Sequence, residues 1–191
     1  MSIICKPFVF VRHGETPFNR DKLIGGSTDV PLTDTGRRQA EIAQPLLARF
    51  HWSGIGVSSL LRAQQTALLA VPGGIYTTLD GLRERDWGDL EGLPGSAITP
   101  YEETPPGGES WDTFLGRVTI AVNALLSEFE CPLIVAHSGV FRVLNYYAFG
   151  SPYGNRIGNV EPMWILPGKI PEEWRIMPLE QRDKLWLYST V

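Results

Sequence analysis

Four short apolar runs punctuate the chain: FVFV at 8–11, IGVSS at 55–59, IYTTL at 75–79 and LIVAH at 133–137. They are rich in β-branched residues, and longer segments of helical character separate them, an alternation that predicts a mostly parallel sheet. Between the runs, DTGRRQAEIAQPLLARF reads as a helix opened near Thr33, with Pro45 kinking or dividing it. SLLRAQQTALLAV reads as a second helix, capped by Ser58 or Ser59. The longest helix is expected in SWDTFLGRVTIAVNALLSEF, with Ser110 as its cap and Phe114, Val118, Val122 and Leu125 as its apolar stripe. GVFRVLNYYAF is expected to form the last core helix. The segment 92–108 is loaded with proline and glycine and reads as a loop over a strand end, not as a linker between domains. In the tail, the prolines of VEPMWILPG suggest an edge strand, and the stretch holding Trp174 and Trp186 carries no readable pattern. Tail packing is the expected role of Trp164, Trp174 and Trp186.

Composition narrows the class. The chain has 191 residues with 43% hydrophobic content, enough to bury one ordinary core, so a single domain over residues 1–191 is expected. The formal net charge is -4 and no run of like charges occurs, which argues against nucleic acid or an anionic membrane surface as a partner. Cys5 and Cys131 each stand near an apolar run and read as buried free thiols in a reducing compartment. The first residues place Lys6 and Pro7 where a signal peptide would be apolar, and no stretch is long enough to span a bilayer, so a cytoplasmic location is expected.

Candidate chemistry gathers where the apolar runs end. In an open α/β sheet, ligands bind outside the carboxyl ends of the parallel strands. Arg12 and His13 follow the first run, Arg62 follows the second, Arg83, Glu84, Arg85 and Asp86 follow the third, and His137 closes the fourth ahead of Ser138 and Gly139. If those ends converge, they make an anion site: arginine forks and a helix N-terminus bind phosphate oxygens, and of two imidazoles a neutral one can attack phosphorus while a second, protonated one stabilises charge on the equatorial oxygens. Gly139 and its neighbours are expected to offer free backbone N–H groups. His51, the third histidine, stands where a helix ends and receives no role. Metal ligation is disfavoured, because spacings such as H-E-x-x-H are absent and arginine beside each candidate ligand would repel a cation. Arg117 and Arg142 read as surface residues, and Trp87 reads equally as loop packing or as a wall of the site.

VRHGET at 11–16 resembles the signature of the histidine phosphatase superfamily, which contains cofactor-dependent phosphoglycerate mutases and many small phosphatases. The similarity continues in order through Asn19, PLTDTGRRQA, SSLLRAQQTA, LRERDWGDLEG and VAHSGVFRVL, covering most of the chain to about residue 150. The resemblance implies a three-layer α/β/α fold with a mostly parallel central sheet, of phosphoglycerate mutase type. It further implies that His13 is the phosphorylated nucleophile, that Arg12, Arg62 and His137 bind the phosphoryl group, that Glu84 donates the proton to the leaving group, and that Asn19 contacts phosphate. Gly14 would keep the turn small enough for backbone and ligand to approach. No cofactor or metal is implied, and the partner is a small phosphorylated substrate. Gly25, Gly26 and Ser27 depart from the family pattern, where relatives often carry a glutamine and an aromatic. Between Glu84 and Ser110 the chain also lacks the arginine pair and lysine that mutases carry, so the expected reaction is phosphomonoester hydrolysis. Alternatives are a phosphoglycerate mutase-type transfer and a phosphate-binding module without turnover.

Overall fold

The computed structural model describes residues 2–154, 156–169 and 173–181. Its sheet has six strands: β1 Phe8–Arg12, β2 Ile55–Ser58, β3 Tyr76–Leu79, β4 Leu133–Ala136, β5 Pro162–Pro167 and β6 Trp174–Pro178. Their order is β3-β2-β4-β1-β5-β6. The pairs β1 with β4, β4 with β2 and β2 with β3 are parallel, and β5 and β6 are antiparallel additions.

Side chains alternate across β1, and each set meets a different helix layer. Phe8 and Phe10 join the core beneath α4 (Trp111–Glu128) and α5 (Ser138–Phe149), whereas Val9 and Val11 join the core beneath α2 (Asp34–Leu47) and α3 (Leu61–Ala70). Burial on both faces is why β1, β2 and β4 read as unbroken apolar runs. The fold is thus the three-layer α/β/α arrangement that the resemblance implied. The third run is different in kind, because β3 is the sheet edge and its Thr77 and Thr78 are exposed.

Several local expectations need correction. VEPMWILPG is not an edge strand, since β5 lies between β1 and β6. Its prolines sit at its two ends, where a missing donor costs the ladder little. The unread stretch after it supplies the true edge, β6, whose Trp174 packs edge-on against Phe8 with ring centres 6.3 Å apart. Trp164 is buried in β5, and Trp186 lies outside the described residues. Neither Ser58 nor Ser59 caps α3. Leu60 is the capping position, and the Leu61 N–H donates to Asp29 Oδ1 at 2.8 Å. Pro45 does not divide α2, which continues through it to Leu47. Thr33 and Ser110 do cap α2 and α4, accepting from the Gly36 and Thr113 N–H groups. Neither cysteine forms a disulfide among the described residues, but Cys5 is exposed and Cys131 only half-buried, so the expected burial does not hold. No helix among the described residues is long and apolar enough to cross a membrane.

Candidate active site

Parallel pairing of β1 with β4 sets Arg12 opposite Ala136, so the next residues, His13 and His137, leave the sheet side by side. The His13 N–H donates to the Ala136 carbonyl at 2.9 Å, and the two imidazole ring centres stand 5.1 Å apart. His13 is 4% exposed, with Nδ1 2.7 Å from the Gly14 carbonyl oxygen. A carbonyl can only accept, so Nδ1 carries the hydrogen and Nε2 keeps its lone pair. Burial, then the charges of Arg62 and Arg12, push the His13 pKa well below the ordinary imidazole value, which keeps the ring neutral at neutral pH.

Arg62, in the first turn of α3, is buried and donates to the Gly26 carbonyl at 2.8 Å and the Thr28 carbonyl at 3.0 Å. Gly26 of the unusual Gly25-Gly26-Ser27 stretch and Thr28 just after it therefore contribute the backbone carbonyls that hold this arginine. Glu91 pins that loop, accepting from the Ser27 N–H at 2.6 Å, the Thr28 N–H at 2.8 Å and the Trp87 N–H at 3.1 Å. Burial would raise its pKa, but bonds from Thr28, Ser27 and Trp87 outweigh it and hold the carboxyl below the usual range. Arg12 donates through one terminal nitrogen to the Ile157 carbonyl at 3.1 Å, while its buried Nε has no partner among the described residues. His137 is fully buried; its Nε2 lies 2.7 Å from Ser58 Oγ, and its Nδ1 likewise has no partner among the described residues.

Glu84 rests on the start of α5. Its Oε1 accepts from the Arg85 N–H at 2.8 Å and its Oε2 from the Gly139 N–H at 2.9 Å. A β-carbon at residue 139 would stand 1.9 Å from Glu84 Oε1, so glycine there makes room for the carboxyl. The expected free N–H at Gly139 is thus already engaged. Gly14 corrects its expectation in the same way: its N–H donates to Thr66 Oγ1 at 3.0 Å, and a β-carbon would meet the Gly36 carbonyl oxygen at 2.5 Å. The close approach that Gly14 permits is to the first turn of α2.

Two arginines read as surface residues are structural parts of the site. Arg117 pairs with Glu109 at 2.7 Å and donates to the carbonyls of Arg83 and Glu84 at 2.8 and 2.9 Å, fixing the backbone that carries Glu84. Arg142 is 9% exposed, borders the cleft and donates to the Pro152 and Gly154 carbonyls. Arg85 turns away from the cleft, donating to the carbonyls of Glu109 and Glu103 and stacking 4.6 Å above the Trp87 ring.

Arg12, His13, Asn19, Arg62, Glu84 and Ser138 border one cleft of about 360 Å³, and His137 stands behind His13. Trp87 is buried yet forms part of its wall, so both readings of that residue hold. Arg142 and Arg156 also border the cleft and add positive charge. Among the described residues, no three His, Cys, Asp or Glu side chains gather closely enough to hold a metal ion. Sequence reasoning missed Ser58, Thr66, Glu91 and Arg142. Thr66 and Arg142 carried a usable signal, each standing one helical turn after a candidate, Arg62 and Ser138.

A family model described as the histidine phosphatase superfamily (branch 1) matches residues 8–159. The fructose-2,6-bisphosphatase TIGAR B of Danio rerio is 38% identical over 133 residues, 60% of this chain and 51% of that protein. Among solved structures, the mycobacterial glucosyl-3-phosphoglycerate phosphatase in complex with VO3 superposes with a TM-score of 0.79 at 26% identity, covering 91% of this chain and 98% of that one. A phosphoglycerate mutase from Thermus thermophilus superposes with a TM-score of 0.70 at 30% identity, covering 88% and 96%. The chain spans 34% to 51% of the length of the first curated relatives it matches.

Proposed function

The chain belongs to the histidine phosphatase superfamily, and from that premise we propose that it is a metal-independent phosphomonoesterase acting on a small phosphorylated metabolite through a phosphohistidine at His13. The observation that carries this reading is the state of His13. It is neutral, its Nδ1 hydrogen is spent on Gly14, and Nε2 stands beside two guanidinium groups and a second imidazole. A phosphoryl group there would offer acceptors to the buried Arg12 Nε and His137 Nδ1, two polar atoms left without partners among the described residues.

The reaction follows in two displacements. Nε2 of His13 attacks phosphorus, the ester P–O bond breaks, and Glu84 supplies the proton to the leaving oxygen. Water then attacks the phosphohistidine, its proton passes to the Glu84 carboxylate, and the P–N bond breaks to release inorganic phosphate. Arg12, Arg62 and His137 stabilise the equatorial oxygens in both steps. The names of the relatives support this class: one is called a bisphosphatase, and one was solved with VO3, an oxyanion that mimics phosphate. Phosphate release from a panel of phosphomonoesters tests it. At least one robust substrate is expected, and a purified, folded protein inert across the panel overturns the proposal.

Because the arginines supply the positive charge that magnesium or zinc would otherwise provide, exhaustive chelation is expected to leave the turnover rate unchanged. Activity lost on chelation and restored by one added metal would contradict that assignment.

A mutase-type transfer is the second reading, favoured by Arg142 and Arg156 on the cleft wall. A mutase must hold a second anionic group while the first phosphate exchanges. Hydrolysis fits better, because Arg142 is already committed to two carbonyls and Arg85 turns away from the cleft. Incubation with 3-phosphoglycerate and a bisphosphoglycerate primer is expected to give inorganic phosphate or no reaction, and efficient formation of 2-phosphoglycerate would reverse the order.

A further inference from the structure

His137 has two nitrogens and only one visible partner. Its Nε2 faces Ser58 Oγ at 2.7 Å, and its buried Nδ1 faces no acceptor among the described residues. Which nitrogen bears the hydrogen decides what the ring can do: an unprotonated Nδ1 would turn a lone pair toward a phosphoryl oxygen, and a protonated one would donate to it. The surroundings of Ser58 choose between them. Ser58 closes β2, is fully buried, and its Oγ already accepts the Leu60 N–H at 3.3 Å. That bond fills one lone pair, and among the described residues the hydroxyl hydrogen meets no acceptor other than His137 Nε2.

We propose that Ser58 is a positioning residue that donates its hydroxyl hydrogen to His137 Nε2 and so fixes the ring as the Nδ1–H tautomer, the form that can donate to a phosphoryl oxygen on His13. This rests on the phosphohistidine reading above, but the tautomer itself can be measured without turnover.

The electrostatics make the device necessary. Burial, then Arg62, His13, Arg12 and Arg117, push the His137 pKa well below the ordinary imidazole value. The three arginines stand on α3, β1 and α4, so guanidinium charge from three separate elements opposes protonation of the ring. In the free protein it is therefore neutral, which corrects the protonated second imidazole expected from the sequence, and a neutral imidazole donates through one nitrogen only. An imidazolium would donate from either nitrogen and would need no serine. With a neutral ring, losing the hydroxyl lets the hydrogen settle on Nε2, and the site exchanges a donor for a lone pair facing phosphate.

The test is nitrogen-15 NMR of histidine-labelled full-length protein near neutral pH, with and without inorganic phosphate, paired with kinetics on the best phosphomonoester found. Wild type is expected to show a protonated Nδ1 and an unprotonated Nε2 at His137. Ser58→Ala is expected to move hydrogen to Nε2 and to lower kcat by about tenfold to a hundredfold, the range for losing a partner that orients a functional histidine, with a smaller change in KM. Ser58→Thr, which keeps the hydroxyl, is expected to restore the tautomer and most of the rate. Wild-type His137 carrying its hydrogen on Nε2 overturns the proposal even if Ser58→Ala fails to fold, and so does a slowed Ser58→Ala whose His137 tautomer matches wild type. If wild type hydrolyses no phosphomonoester while the Nδ1–H tautomer is observed, the phosphatase reading fails and the serine assignment stands.

Discussion

Replacing His13 by alanine is expected to lower turnover by on the order of ten-thousandfold or more, because in the proposed mechanism it removes the atom that bonds to phosphorus. The structure isolates that atom. Nδ1 is tied to the Gly14 carbonyl, and the ring is neutral because burial and two neighbouring guanidinium groups oppose its protonation. The proposed nucleophile therefore needs no separate base, and the acidic limb of kcat/KM should lie well below pH 6.5 as far as His13 is concerned. Quenching the wild-type protein with labelled substrate should trap label that is lost in acid and survives base, the stability of a phosphoramidate. The alanine variant should trap none while still binding inorganic phosphate through Arg12 and Arg62. Near wild-type turnover by His13→Ala, or trapped label that survives acid and is lost in base, would contradict the mechanism.

Much of this site was legible because of where the chain leaves the sheet. Strands β1, β2 and β4 are buried on both faces, so their apolar runs stand out, and each run ends directly before a charged or imidazole side chain or within a few residues of one. What the sequence hid was made of backbone. Arg117 and Arg142 looked like surface residues because, the Glu109 carboxylate apart, the partners named for them are the carbonyls of Gly81, Arg83, Glu84, Pro152 and Gly154. Every residue carries a carbonyl, so no pattern announces one that will hold a guanidinium. The Gly14 and Gly139 N–H groups were hidden in the same way, since only the fold brings Thr66 and Glu84 to them. Ser58 had a plausible local reading as a helix cap, and its true partner lies 79 positions away in sequence. The place of β5 was a matter of pairing beyond the reach of local rules: proline at a strand end is compatible with an inner strand, and the antiparallel β6 that covers it is short and partly exposed.

Glu84 is where backbone positioning and chemistry meet, and replacing it by alanine is expected to separate two kinds of ester. Its main chain is held by Arg117, and its carboxyl oxygens are oriented by the Arg85 and Gly139 N–H groups, on the wall of the cleft that also holds His13. An alkyl phosphate expels a poor alkoxide that needs a proton as the P–O bond breaks, whereas a nitrophenyl phosphate expels an anion that is stable without help. Glu84→Ala should therefore slow alkyl ester cleavage by on the order of a hundredfold or more and slow nitrophenyl ester cleavage much less. Arg117→Ala should resemble it in weaker form, with a preferential loss on the alkyl ester, because it loosens the backbone without removing the carboxyl. Steady-state rates on the two esters decide the matter. An equal loss on both from Glu84→Ala would mean that the carboxyl holds the start of α5 in place and does not donate the proton. Asp86 would then be the next acid to test, two residues along and fixed by its bond to the Gly88 N–H at 2.8 Å.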